Sequence, residues 1–148
     1  MVRLEALVVL MLLDPCLARA ACPTTKPIRD VHGTYECPGN FGSDGLLVTV
    51  EPEIEFRRGG AGYVLSDGSY GWKVAWCRKV KGKLSISGRR LDGSAPPLRS
   101  QIGADNGQPG FVPTYVIFPT VGCWEITGRV GRTKVTFVTH VVDHRDGE

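Results

Sequence analysis

Segments in which apolar and polar residues alternate at every second position constrain this chain more than any other feature of its sequence. The cleanest runs from Trp72 to Val80, where Trp72, Val74, Trp76 and Val80 fall on one side and small or polar residues on the other. Successive side chains of a β-strand point to opposite faces, so this segment is predicted to be a half-buried strand.

Turn residues divide the chain into further short strands. Lys81-Gly82 is a tight connection from this strand to residues 84–87, so we predict an antiparallel hairpin there. Residues 123–130 and 133–142 are two more strands, joined by the two-residue turn Gly131-Arg132. About seven to nine short strands without a helical segment predict an all-β sandwich over residues 45–142.

Three segments around these strands are predicted to be irregular. Residues 21–44 are rich in Pro, Gly, Thr and charged residues. They are expected to form a lead-in that is held in place by cysteines rather than by a hydrophobic core. The polar loop between Gly103 and Gly110 is expected to be a mobile tip. Residues 143–148 are expected to be a flexible tail.

The first residues are typical of a secretory signal peptide. Arg3 is followed by an apolar run from Ala6 to Leu13, and Ala18-Arg19-Ala20 is a small-x-small cleavage pattern, so residues 1–20 are predicted to be removed. Eight apolar residues span only about 12 Å as a helix against the ~30 Å hydrocarbon core, so no integral membrane span is expected. The alternative is an amphipathic segment of the folded protein.

Cys22 lies just past the predicted cleavage site, which also allows a lipid anchor at that residue. Lipoprotein signals prefer an aliphatic residue three positions before the cysteine, and this chain has Arg19 there. A soluble exported protein is therefore the preferred interpretation, with lipidation as the alternative.

Removal of the predicted leader also removes Cys16 and leaves four cysteines. In an oxidising compartment four thiols most simply form two disulfides, and three pairings are open on the residues alone. A zinc site would need a short C-x2-4-C spacing that is absent from the sequence. The set comprises Cys22, Cys37, Cys77 and Cys123.

A resemblance to a group of proteins lies in the last third of the chain. Residues 118–131, FPTVGCWEITGRVG, with TFV at 136–138, resemble a set of small secreted bacterial proteins without an assigned activity. The likeness covers roughly residues 62–142 and implies an immunoglobulin-like antiparallel β-sandwich. It also implies the disulfide Cys22–Cys123, which leaves Cys37 with Cys77. It implies no reaction.

Two sets of side chains are candidate binding residues. Trp72, Trp76 and Trp124 could form an exposed aromatic platform for sugar rings, although tryptophans on an alternating strand are more often core. Arg89 and Arg90 could bind an anion, although an arginine close to an acid, here Asp92, more often ties a turn.

Two further clusters have simpler structural explanations. His140 and His144 lie about 13 Å apart along a strand, too far to chelate one ion, so with Asp143 they are assigned to a solvated tail. Three acids at alternate positions could serve glycoside hydrolysis, but a solvated sheet edge is simpler. No metal or cofactor is predicted. The acids are Glu51, Glu53 and Glu55.

No catalytic motif accompanies the serines of the predicted turns, Ser66, Ser69 and Ser94. The net charge of +3 is mild and the basic residues are scattered, which argues against nucleic-acid binding. We therefore predict an exported, non-enzymatic module that binds a protein or glycan partner at the cell envelope or outside the cell. An envelope hydrolase and a purely structural envelope accessory protein are the alternatives.

Overall fold

The computed structural model describes residues 21–28 and 37–147, so the predicted signal peptide lies outside the described residues. Within these ranges the protein is all-β, without a helix. No helix of the described ranges is long and apolar enough to cross a membrane. The strands are β1 Phe41–Ser43, β2 Leu46–Val48, β3 Glu53–Phe56, β4 Tyr63–Val64, β5 Tyr70–Arg78, β6 Leu84–Arg90, β7 Arg99–Ile102, β8 Gly110–Phe118, β9 Gly122–Val130 and β10 Thr133–Asp143.

Two packed sheets confirm the predicted sandwich. The larger sheet has the order β1-β2-β5-β8-β7, with β4 paired to β5, and the smaller sheet has the order β3-β10-β9-β6. The neighbours β2-β5-β8-β7 and β10-β9-β6 correspond to the A-B-E-D and G-F-C sheets of an immunoglobulin domain. One pair departs from the predicted antiparallel arrangement, because β3 runs parallel to β10 at the sheet edge.

Side chains from both sheets fill the space between them. Trp76 of β5 and Trp124 of β9 are fully buried, and their rings pack against Phe137 and Phe118 at centroid distances of 6.0 and 5.7 Å. The alternating pattern therefore locates the core correctly. The other buried residues include Val48, Val50, Ile54, Phe56, Val74, Val116, Ile126, Val130, Val135 and Val141.

One of the two predicted hairpins is correct. β9 and β10 pair antiparallel around Gly131-Arg132, with Val130 opposite Thr133. The predicted pairing of β5 with β6 is wrong, because β6 pairs with β9 in the other sheet. The short connection between them crosses from one sheet to the other, since β5 and β6 each have an apolar side that must face the same core.

The loop between Gly103 and Gly110, predicted to be mobile, is anchored to the body of the sandwich. Asp105 accepts hydrogen bonds from Arg78 Nη1 at 2.6 Å and from the Leu84 amide at 2.9 Å. Arg78 Nε also donates to the Gln108 carbonyl at 2.9 Å. A buried arginine needs such partners, so the loop closes over Arg78 instead of extending into solvent.

The lead-in is tied to both sheets. Cys22 is bonded to Cys123 of β9 and Cys37 to Cys77 of β5, with Cα–Cα distances of 5.4 and 5.0 Å. These are the two pairings that the resemblance implied. The lead-in is not wholly irregular, because β1 lies within it.

Candidate functional site: the outer face of the larger sheet

The predicted tryptophan platform is not available at the surface. Trp76 and Trp124 are 0% exposed, which corrects their assignment as binding residues and confirms the core interpretation. Trp72 is half-buried, with its ring 5.7 Å from that of Phe56. All three tryptophans occupy strand positions whose side chains point toward the opposite sheet. The same alternation that predicts their strands therefore places these side chains inside the sandwich.

The predicted arginine pair divides into two separate contacts. Arg90 Nε donates to Asp92 Oδ1 at 2.7 Å, and the same oxygen accepts the Cys123 amide at 3.0 Å. Arg90 therefore ties the end of β6 to the start of β9, as the turn interpretation states. Arg89 is exposed and paired with Glu125 at 2.9 Å across the outer face of the smaller sheet. The two guanidinium groups do not form one anion site.

A different set of aromatic side chains is exposed, on the outer face of the larger sheet. Phe111 and Tyr115 occupy outward positions of β8 and are 45% and 39% exposed. Tyr63 of β4 is 39% exposed. Together with Pro113, which is exposed between Phe111 and Tyr115, these residues form what we call the aromatic face.

Gly71 explains how two rings from non-adjacent strands meet. Tyr63 lies opposite Gly71 of β5, and its ring covers that glycine so closely that a Cβ atom there would overlap it. The ring thereby reaches across β5 to Tyr115 of β8, at a centroid distance of 5.6 Å and an interplanar angle of 72°. This edge-to-face arrangement is one that aromatic pairs favour, so each ring holds the other in place.

Polar side chains lie beside the two tyrosines. Lys73 of β5 and Gln101 of β7 are both exposed, and the strand registers place them on either side of Tyr115. Arg99, two residues before Gln101 on β7, donates to Asp67 at 2.8 Å. The face therefore combines ring surface with hydrogen-bond donors.

An open cleft of about 500 Å³ adjoins this face beneath the anchored loop. Its charged pair is Arg78 with Asp105, whose side chains are 2% and 9% exposed. Burial alone would raise the pKa of Asp105, but hydrogen bonds from Leu84, Arg78 and Gly107 outweigh it and hold the pKa at about 2. Arg78 and Asp105 bond to each other, to the Gln108 carbonyl and to the Leu84 amide. The pair therefore holds the loop between Gly103 and Gly110 in place.

Groups suited to catalysis are not brought together in the part of the chain that the structure describes. The Ser69 hydroxyl donates to Asp67, which lowers the pKa of that carboxyl, and Arg99 Nη2 donates to the Ser69 oxygen at 2.7 Å. An ionised carboxyl with a lowered pKa is a weak base, and neither His140 nor His144 contacts this serine.

The predicted acidic row lies at a sheet edge. Glu53 and Glu55 belong to β3, the edge strand of the smaller sheet, where they pair with His140 at 3.2 Å and with Arg57. Glu51 precedes this strand and is exposed. Within residues 21–28 and 37–147, no group of three or more His, Cys, Asp or Glu side chains could hold a metal ion.

Sequence reasoning missed the aromatic face because apolar residues occupy both faces of β8. Phe111, Pro113 and Tyr115 alternate with Val112 and the other inward residues, so the pattern does not say which set is exposed. A usable signal was Gly71, a residue without a side chain in an otherwise well-filled strand, which often marks a close approach by another group.

Comparison with known proteins adds no family or relative. No protein-family model matches the chain, and neither a curated protein nor a solved structure matches it significantly. The function must therefore be argued from the site itself.

Proposed function

We propose that this protein is an exported, non-enzymatic immunoglobulin-like module that binds a partner through the aromatic face. The observation that carries the proposal is the exposure of Tyr63, Phe111 and Tyr115 on one side of the larger sheet. Aromatic residues are enriched where proteins bind their partners, and large side chains that are exposed together usually have a functional reason.

The cell envelope or the extracellular space is the proposed location. Two disulfides are typical of proteins that fold in oxidising compartments. The leader-like residues 1–20 and the resemblance to secreted bacterial proteins support the same location. We propose a protein without a lipid anchor, because the sulfur that a lipid would modify on Cys22 is bonded to Cys123.

Attachment to the envelope of the source cells tests this function. Purified, disulfide-bonded protein is mixed with the envelope fraction and sedimented, and the bound fraction is compared with that of the double variant Tyr63→Ala/Tyr115→Ala. We expect the variant to lose at least about tenfold in apparent affinity, since two exposed rings commonly contribute more than 1.4 kcal/mol to binding.

The matched control is Thr127→Ala/Thr136→Ala, which changes two side chains on the outer face of the smaller sheet. This variant is expected to bind like the wild type. Equal binding by wild type and the tyrosine variant, with both folded by circular dichroism, would contradict the proposal. A turnover activity that depends on Ser69 or Glu53 would favour the envelope hydrolase instead.

A further inference from the structure

We infer that the partner of the aromatic face is a carbohydrate chain that carries carboxylate groups. This inference rests on the proposed function and identifies the ligand of the same site. Three properties of the face support it: the mixture of rings and polar side chains, the arrangement of its apolar side chains in a narrow row, and the sign of its charge.

The mixture suits the two kinds of surface that a sugar ring presents. Its C–H face packs on an aromatic ring, and its hydroxyl groups need hydrogen-bond partners at the same level. Tyr115 offers ring surface, while Lys73 and Gln101 flank it in the strand register and extend from the same face. One sugar unit over Tyr115 would thus contact a ring and two polar side chains.

The face is poorly suited to a protein partner. Stable protein interfaces bury about 800 Å² on each side around a centre that is depleted of charged residues. Here the exposed Lys73 and Gln101 lie on either side of Tyr115, at the middle of the face. The exposed apolar side chains therefore form one narrow row along β8, flanked by polar groups at Tyr115, rather than a broad apolar centre.

The spacing of the rings in this row suits an extended chain. Tyr115 and Phe111 lie on the same side of β8, four residues apart, which corresponds to about 13 Å along the strand. Pro113 fills the position between them and is exposed. A linear oligosaccharide could follow this row with successive units, whereas a single small ligand would not reach both Tyr115 and Phe111.

The charge of the face selects an acidic ligand. The outward positions of β4, β5, β7 and β8 include Lys73 and Arg99 but no carboxylate. Arg99 is paired with Asp67, and the Lys73 ammonium makes no ion pair within the described residues. A carboxylate on the ligand would provide that partner, so Lys73 is the residue we assign to the acidic group.

Calorimetric titration with matched oligosaccharides tests the inference. Purified, disulfide-bonded protein is titrated with uronic-acid oligomers, namely oligogalacturonate, oligomannuronate and hyaluronan fragments, and with methyl-esterified oligogalacturonate as the uncharged match. We expect at least one acid oligomer to bind. Tyr115→Ala should weaken that binding about tenfold or more, and for oligogalacturonate Lys73→Gln should abolish any preference for the acid over its ester.

Gly71→Ala gives a second test that leaves both rings in the chain. The added methyl group displaces the Tyr63 ring, so affinity should fall although the strand is retained. Lys81→Gln removes the same charge from an exposed turn away from the face and should leave the affinity for the acid oligomers unchanged.

Two outcomes would overturn the inference. The first is an equal loss of affinity in Lys81→Gln and Lys73→Gln with none in Tyr115→Ala, which would indicate attraction by net charge alone. The second is no binding to any uronic-acid oligomer. If Tyr63→Ala/Tyr115→Ala still reduces envelope attachment in that case, the proposed binding function stands and only the ligand class is wrong. If it does not, both fail.

Discussion

The six-membered ring of Trp76 lies directly on the backbone of Gly128, so a residue of β5 contacts the opposite sheet at a position where no side chain intervenes. The Trp76 indole is fully buried, and its Nε1–H has no hydrogen-bond partner among the described residues. The position of the Trp76 ring in the core is therefore determined by packing and not by a hydrogen bond. Glycine at position 128 sets how closely the two sheets approach at this point.

Substitution of Gly128 by alanine should consequently destabilise the protein. The new methyl group would overlap the Trp76 ring, and overpacking of this kind costs about 1–3 kcal/mol in the free energy of unfolding. Urea unfolding measures the change, and Arg129→Ala, at the exposed neighbouring position, should stay within about 0.5 kcal/mol of the wild type. An unchanged stability of Gly128→Ala would mean that the ring can move aside.

Local patterns predicted the parts of the fold that local interactions determine. The β9–β10 hairpin is correct because Gly131, with a φ of 56°, suits a two-residue turn between two alternating strands. The predicted hairpin after β5 is wrong because the same kind of short turn can also pass between sheets. What decides there is the pairing of β6 with β9, a strand far ahead in sequence.

The aromatic face depends on contacts that no local pattern contains. Tyr63 and Tyr115 are 52 positions apart, and they meet only because β4 and β8 lie on either side of β5 at Gly71. The tryptophans were easier to place, since their large apolar surface favours the core. The exposed site thus follows from the order of the strands in the sheet, which no local pattern in the sequence reveals.

The ion pair of Asp105 with Arg78 should make a measurable contribution to stability. Asp105→Asn leaves a buried guanidinium without its counter-charge, which typically costs about 3–5 kcal/mol in the free energy of unfolding. Urea unfolding at neutral pH measures this loss. A loss below about 1 kcal/mol would show that solvent reaches Arg78 and that the pair is not energetically buried.

The same pair should give a characteristic pH dependence. The pKa of Asp105 is lowered from 3.8 to about 2 in the folded protein, so its stabilising contribution is complete above pH 3.8 and disappears as the pH falls toward 2. The stability difference between wild type and Asp105→Asn should therefore shrink over this interval. Unfolding series at neutral pH and at about pH 3 and pH 2 provide the comparison, and a difference that stays constant would contradict the assignment.

Removal of the two disulfides should have unequal effects. The bonds close loops with sequence separations of 101 and 40 residues, for which chain entropy gives about 4.7 and about 3.9 kcal/mol respectively. Cys22→Ser/Cys123→Ser should thus unfold at a lower urea concentration than Cys37→Ser/Cys77→Ser. The reverse order would indicate that contacts of the lead-in, rather than loop closure, determine its contribution.

Fluorescence quenching should separate the three tryptophans. Trp76 and Trp124 are inaccessible to a soluble quencher such as iodide, whereas Trp72 is half-buried beside Phe56. Quenching of the native protein should therefore come almost entirely from Trp72, and Trp72→Phe should reduce the Stern–Volmer slope to near zero. Because the substitution keeps an aromatic ring against Phe56, the fold should be retained, which urea unfolding can verify. A slope that persists in Trp72→Phe would mean that one of the core tryptophans reaches solvent, and the tryptophan platform would then compete with the tyrosine face as the binding surface.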